Sequence, residues 1–135
     1  MNYHAKIVPI IILMGFLMLT GTKVNEDEIP NDIAIAFKVG TAKELSRFFN
    51  DNLELSVLKN DDIYSRSQAE RIMDDFFTKY TPKKFEFIHK GGKQDAQYAI
   101  GRLVTFNGTF RVYLLLKKKD EKLLIHQLRI EKENE

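Results

Sequence analysis

The C-terminal half of the chain consists of strand-forming segments separated only by short turns, and this feature constrains the fold most. In residues 85–89 apolar and polar residues alternate, which is the period of a strand with one buried face. Residues 96–106 are rich in aliphatic and aromatic residues. The four predicted strands are residues 85–89, 96–106, 109–118 and 122–131. Tight turns join antiparallel neighbours, so these segments predict a four-stranded meander.

Glycines mark two of the turns in this meander. Gly91-Gly92 is predicted to begin the first turn. Asn107-Gly108 favours a type I′ hairpin, because both residues tolerate the positive φ that this turn requires. Residues 119–121 are predicted to form the last turn.

Ahead of the meander, the sequence predicts a first helix and a strand pair. Asn31 or Asp32 can cap this helix, and Gly40 can end it because glycine accepts a left-handed conformation. Residues 53–57 alternate like a half-buried strand, and residues 63–64 can pair back on it after a turn.

Two further helices are predicted from capping boxes at residues 41–44 and 67–70, each with Thr or Ser three residues before Glu. The apolar stripe of the second helix extends to Phe48 and Phe49, and Pro82 stops the third helix. The third helix has the strongest helical period in the chain. Its apolar face is formed by Ala69, Ile72, Met73, Phe76, Phe77 and Tyr80. The predicted fold class is therefore α+β, in the order α-α-β-β-α-β-β-β-β.

The first 22 residues are predicted to be a signal peptide. Lys6, with His4, gives a weakly positive start, and residues 7–19 are almost entirely apolar. Thirteen residues rise only about 20 Å as a helix, whereas the bilayer core is about 30 Å thick. A cleaved export signal is therefore favoured over an uncleaved membrane anchor.

This signal predicts an exported protein of the periplasm or cell envelope, with no membrane span after cleavage. Residues 23–30 are predicted to be a polar, acidic linker, and residues 31–133 a single domain.

The composition excludes several classes of chemistry. The chain has no cysteine, which excludes disulfides, thiolate metal sites and a cysteine nucleophile. Its formal net charge is only +2, with cations and anions mixed along the chain, so the basic surface of a nucleic-acid-binding protein is missing. No phosphate-binding glycine loop, nucleophile elbow or metal-ligand spacing occurs, so we expect neither a cofactor nor a metal.

The element order resembles the cone-shaped nuclear-transport-factor-two-like superfamily, also described as cystatin-like. More closely, several short stretches resemble an exported Bacteroidetes family known as domain of unknown function 4783. These stretches are residues 36–40, 64–65, 68–70, 76–77, 89–91, 98–101, 107–108, 111–113 and 128–131. The resemblance implies a cone fold and an exported setting, and it implies no activity.

Five polar or aromatic residues are candidates for a pocket or an interface: His126, His89, Arg102, Arg111 and Tyr113. His126 shares its predicted face with Leu124, Leu128 and Ile130, so it is the only titratable group on an aliphatic stripe. A general base there would need an orienting partner and a substrate pocket, so a structural histidine is the favoured alternative.

The other four candidates also have structural alternatives. His89 can contact a ligand at the rim of the cone or be a half-exposed histidine at a strand end. Arg102 and Arg111, with Tyr113 nearby, can clamp a carboxylate, but they can equally cover a sheet or form part of a dimer face. The sequence identifies no catalytic residue, because the acids Glu54 and Glu86, like the other strand and helix acids, fall on polar sides.

Two functions remain open from sequence. The favoured one is a non-enzymatic domain that binds a small apolar ligand or an envelope partner. The alternative is a cone-fold hydrolase or isomerase with a polar cluster at the pocket mouth, such as His126 with Tyr113 or Arg111.

A homodimer through the sheet is also predicted, because the meander is apolar on both faces. In residues 109–118, Tyr113 and Leu115 oppose the apolar face that carries Phe110 and Val112. Exposed apolar patches usually mark contact surfaces.

Overall fold

A computed structural model of the chain describes residues 28–134. The helices are α1 (Asn31–Val39), α2 (Ala42–Ser46) and α3 (Arg66–Lys79). The strands are β1 (Phe49–Val57), β2 (Asn60–Ser65), β3 (Pro82–Lys93), β4 (Ala96–Thr105), β5 (Gly108–Lys119) and β6 (Lys122–Lys132). The predicted α+β order is confirmed. The predicted signal peptide and most of the predicted linker lie outside the described residues.

The six strands form one mixed sheet in the order β2-β1-β6-β5-β4-β3. Hairpin neighbours pair antiparallel, as the short turns require. The strand pair joins the meander through β1, which runs parallel to β6. This pairing of two strands that are distant in sequence places β5 and β6 in the middle of the sheet.

The helices pack on one face of this sheet, here called the core face. The ring of Phe76 on α3 meets Phe110 on β5 edge to face, with centroids 5.2 Å apart. On the other side of the core, Phe37 of α1 stacks on Phe85 of β3 at 4.8 Å. Phe76 and Phe77 are both buried, which confirms the predicted apolar face of α3.

Helix starts differ from the predictions in two places. Pro30 occupies the N-cap position of α1 and makes no side-chain cap, so neither Asn31 nor Asp32 caps that helix. The capping box of α3 is formed by Ser65 and Gln68, two residues before the predicted one. The Oγ of Ser65 accepts from the Gln68 amide at 3.3 Å, and Gln68 Oε1 accepts from the Ser65 amide at 3.0 Å.

The second helix is also shorter than predicted. Phe49, predicted on its apolar stripe, begins β1 and pairs in register with Ile125. Its side chain is fully buried in the strand, as the apolar stripe of a helix would also require. A pattern of apolar residues therefore could not distinguish the end of a helix from the start of a strand.

One predicted turn is misplaced, and another lies at the predicted hairpin with a different backbone conformation. Gly91 and Gly92 lie within β3, where Gly91 pairs with Tyr98, and the chain turns after them. At the next hairpin Asn107 does not take a positive φ, whereas Gly108 does, with φ 128°. The two residues with the positive φ values of a type I′ turn are Asp120 and Glu121, at 49° and 69°. Two consecutive left-handed residues thus occur in the β5–β6 turn, which carries no glycine.

A β-bulge in β6 changes the predicted face of His126. The register steps from Leu116 opposite Ile125 to Leu115 opposite Gln127, so His126 is the extra residue. Side chains before the bulge therefore alternate in the opposite phase from those after it. The buried apolar residues of β6 are Leu123, Ile125, Leu128 and Ile130, and Leu124 lies on the opposite side.

Candidate functional site

The side of the sheet turned away from the helices, here called the outer face, collects four of the five candidates. Directly paired residues lie on the same face of a sheet. Arg102 pairs with Arg111, and Tyr113 pairs with Ile100, which in turn pairs with His89. The alternation of β3, β4 and β5 thus brings candidates from three strands into two neighbouring rows.

The middle of the outer face is a shallow apolar depression of about 280 Å3. Ile100, Tyr113 and Leu115 are half-buried although no helix covers them, and Tyr98 is 41% exposed. The other outer-face residues that border the depression are Gln127 and Arg129. An exposed apolar centre with Arg and Tyr around it has the composition of a protein contact surface.

His89 belongs to this face through a side-chain contact. Its Nε2 lies 3.1 Å from the hydroxyl of Tyr98, within hydrogen-bond distance. Both side chains are exposed. The Tyr98 ring covers Gly91 so closely that a Cβ at Gly91 would collide with it. The glycine that was predicted to turn the chain therefore makes room for an aromatic ring.

Charges on the outer face are only partly paired within the chain. Arg102 Nε donates to Glu133 Oε2 at 3.0 Å, and Arg129 lies 3.8 Å from Glu131. Within residues 28–134, Arg111 makes no ion pair. Its cross-strand neighbour Arg102 carries the same charge, so an anionic group of another molecule would bind favourably next to Arg111.

The acids of β1 and β2 on the outer face are unpaired as well. Glu54 and Asp61 are exposed, and neither makes an ion pair with another described residue. The β1–β2 side of the outer face is therefore acidic, and Arg111 on β5 is an unpaired cation on the other half of the sheet.

His126 is separate from this group. Its Nε2 is buried and has no hydrogen-bond partner among the described residues, as is also true of Asn50 Oδ1 on the neighbouring strand. Burial lowers the pKa of His126 below its ordinary value of 6.5, and the positive charges of Lys117 and Lys119 lower it further. The structure shows no carboxylate hydrogen-bonded to this ring, so the orienting partner that a general base needs is not supplied by residues 28–134.

A second concave feature was not predicted from sequence. A groove of about 660 Å3 opens at one end of the domain, where residues 28–31, 47–48 and 120–124 meet Lys90. Its apolar residues are Ile29, Pro30, Phe48, Leu123 and Leu124, and its rim carries Glu28, Arg47, Lys90, Asp120, Glu121 and Lys122. No local pattern indicates such a groove, because its residues come from distant parts of the chain. None of the five candidates lines it.

The interior carries little polar chemistry. Among the described residues, the buried polar side chains are Ser46 and Thr105, and both donate hydrogen bonds to backbone carbonyls. The strand and helix acids lie outside the core, as their alternation predicted. Within residues 28–134 no three His, Asp or Glu side chains are grouped as metal ligands. In the same range, no helix has the length and apolar character to cross a membrane.

Comparisons with known proteins support the fold and the family. The family described as domain of unknown function DUF4783 matches residues 30–131. A DUF4783 protein of Bacteroides ovatus has a TM-score of 0.76 and 38% identity, over 81% of this chain and 99% of that chain.

More distant structures share only the fold. A cystatin-like domain of unknown function from Nostoc punctiforme has a TM-score of 0.62 at 11% identity, over 78% of this chain and 73% of that chain. An NTF2-type protein has a TM-score of 0.60 at 13% identity, over 75% of this chain and 91% of that chain. No curated protein matches.

Proposed function

This chain belongs to the DUF4783 family, which shares the NTF2-like and cystatin-like fold, and we propose that it is a non-enzymatic interaction domain that binds through its outer face. The observation that supports this proposal most is the placement of the candidates. Arg102, Arg111, Tyr113 and His89 share one exposed face around a half-buried apolar centre. A flat face of this kind suits a macromolecular partner better than a small substrate, which is usually enclosed in a cleft.

The enzyme alternative requires a polar cluster at the mouth of a pocket. The end groove is the larger of the two concave features described above, and it contains neither His126 nor Tyr113 nor Arg111. Tyr113 borders the shallow depression on the open outer face instead. Proton transfer gains from a desolvated acid or base, which an open sheet face does not provide. A turnover that is lost on His126→Gln would contradict the non-enzymatic proposal.

The end groove is the place that we propose for the small apolar ligand expected from sequence. Its apolar residues Phe48, Leu123 and Leu124 give it a hydrophobic wall. Native mass spectrometry of the purified protein should reveal a retained ligand, and Phe48→Asp should release it. The Ile35→Asp variant, which changes an exposed residue of α1 outside the groove, is the matched control.

We also propose that the protein acts outside the cytoplasm, since its first residues resemble an export signal. Cell fractionation tests this directly. Processed protein in the periplasm or envelope is expected, whereas full-length protein that stays in the cytoplasm would contradict the proposal.

The outer-face proposal is tested by site-specific photo-cross-linking in producing cells. A photoreactive amino acid in place of Tyr113 should form an adduct with another protein molecule. The same amino acid in place of Ile35 should not, because Ile35 is also a large hydrophobic residue, 47% exposed, but lies on α1. Equal labelling at both positions, or no adduct at Tyr113, would contradict the proposal.

A further inference from the structure

The charged residues on the two halves of the outer face restrict which partner can bind there. β5 and β6 are the third and fourth strands of the six, so the line between them divides the sheet into two equal halves. Each half carries groups that the other half lacks. The register pairs that cross this line are Arg111 with Glu131, Tyr113 with Arg129, and Leu115 with Gln127.

We infer that the partner is a second copy of this chain, stacked outer face to outer face about a two-fold axis that runs along the strands between β5 and β6. This inference rests on the proposed function and specifies its partner. A rotation about such an axis exchanges the two halves of the sheet and preserves position along the strands. Each residue of β5 therefore faces its own register partner on β6 of the second copy.

The facing groups are complementary along the centre. Arg111, which makes no ion pair with residues 28–134 of its own chain, faces Glu131 of the second copy. The ring of Tyr113 faces the guanidinium of Arg129, which suits a cation–π contact. Because the interface is isologous, each of these contacts forms twice.

Complementarity continues away from the centre. In the Tyr113 row, Ser56 of β1 falls opposite Ile100 of β4, and Asp61 of β2 falls opposite His89 of β3. In the next row, Glu54 falls opposite Tyr98, whose hydroxyl is a hydrogen-bond donor. Both unpaired acids of the β1–β2 side thus meet groups that can donate to them.

The other in-plane axis lacks this complementarity. A two-fold axis across the strands stacks each strand on its own copy. Centred on Tyr113, it brings the two Arg129 side chains together and leaves the acidic β1–β2 sides facing each other. Like charges placed opposite each other in an interface are strongly unfavourable. The charge pattern therefore selects the axis along the strands.

The first experiment is a charge exchange between Arg111 and Glu131, read as the dimer dissociation constant by analytical ultracentrifugation. Arg111→Glu alone and Glu131→Arg alone place like charges opposite each other, and each should raise the dissociation constant more than about tenfold. An equimolar mixture of the two variants should restore a 1:1 dimer, because two acids of one chain then face two cations of the other. An attraction between positions 111 and 131 within one chain cannot explain that rescue, because each variant still carries like charges at these two positions in the mixture. Single variants that dimerise like the wild type, or a mixture that stays monomeric, would overturn the inference.

The second experiment measures the axis in the cysteine-free background of this chain. Stacked sheets lie about 10 Å apart, which is beyond direct disulfide reach, so a short bis-maleimide is the suitable linker. Across the inferred axis, position 56 lies about 10 Å from position 100 of the second copy, but about 17 Å from its own counterpart. A mixture of Ser56→Cys and Ile100→Cys chains should therefore yield the mixed adduct.

The outcomes separate this inference from the proposal on which it rests. Adducts formed only within each variant would reject the axis. A chain that stays monomeric at high micromolar concentration, while Tyr113 cross-links to a different protein, would reject the second copy and leave the outer-face proposal standing.

Discussion

The two faces of the sheet are built from the same strands, yet they differ in almost every physical property. On β5 the core face carries Phe110 and Val112, which are fully buried, while the alternate residues Arg111 and Tyr113 are exposed and half-buried. The period of two residues is thus enough to separate the residues that stabilise the fold from those that can bind a partner. Changes on the two faces should therefore affect different measurements.

The difference also shows where polar groups can lie. The core face is filled with apolar side chains, and the rings of Phe76, Tyr80 and Phe110 meet there at 4.8–5.2 Å. The outer face instead mixes apolar residues with Arg and Glu in cross-strand rows. A binding function on the outer face therefore does not require a buried charge in the core, where desolvation would be costly.

The largest effect on stability is expected from Phe76→Ala. Phe76 is 2% exposed and contacts the rings of Phe77, Tyr80 and Phe110. Its truncation should lower the free energy of unfolding by about 3–5 kcal/mol, a large share of the roughly 5–15 kcal/mol of a small domain. Urea unfolding measures this. Phe106→Ala, at a ring that is 65% exposed, should change the same quantity by less than about 0.5 kcal/mol.

A smaller effect is expected from adding one methyl group to the core face at Gly101. The ring of Phe85 occupies the space that a Cβ would take, and this ring is held against Phe37. Gly101→Ala should therefore cost about 1–3 kcal/mol through overpacking. Adding Phe85→Leu should recover part of that loss. An unchanged unfolding midpoint for Gly101→Ala would show that the core face has room near β3.

The β5–β6 turn lies on neither face of the sheet. Substitutions there therefore test how much the backbone conformation alone contributes to the free energy of unfolding. Asp120 and Glu121 both have positive φ, which costs residues with a Cβ more than glycine. The double change Asp120→Asn and Glu121→Gly supplies the usual type I′ residues and should raise the unfolding free energy by about 1 kcal/mol. A lower midpoint in urea would mean that these two side chains stabilise the fold by contacts that outweigh their backbone cost.

The smallest effect concerns His126 and pH. Because the pKa of His126 is below 6.5 in the folded protein, the unfolded chain binds more protons as the pH falls below that value. This contribution to stability is therefore present at neutral pH and is lost as the pH falls from about 6.5 through the lowered pKa. Urea midpoints between about pH 7.5 and about pH 5 should decline less for His126→Gln than for the wild type. His89→Gln should keep the decline, and equal slopes for all three proteins would contradict the assignment.

Local pattern determined the kind and order of the elements. The capping signal at the start of α3, which was predicted two residues too late, depends on residues a few positions apart. The same is true of the period of α3 and of the alternation in the strands, so the sequence alone predicted an α+β chain that ends in a meander. The candidates His89, Arg102, Arg111 and Tyr113 were also identified in this way, because alternation shows which side chains share a face.

Only the tertiary structure decided how these local units meet. The parallel pairing of β1 with β6 joins distant segments and makes β5 and β6 the centre of the sheet, which gives the outer face its two halves. The bulge at His126 reverses the alternation of β6. No local residue preference predicts it, because packing on both sides of the bulge stabilises the extra residue. The end groove likewise exists only where segments distant in sequence come together. Side-chain periodicity depends on near neighbours, whereas register, bulges and grooves depend on which distant surfaces pack against each other, and the free energy of that packing is a property of the whole domain.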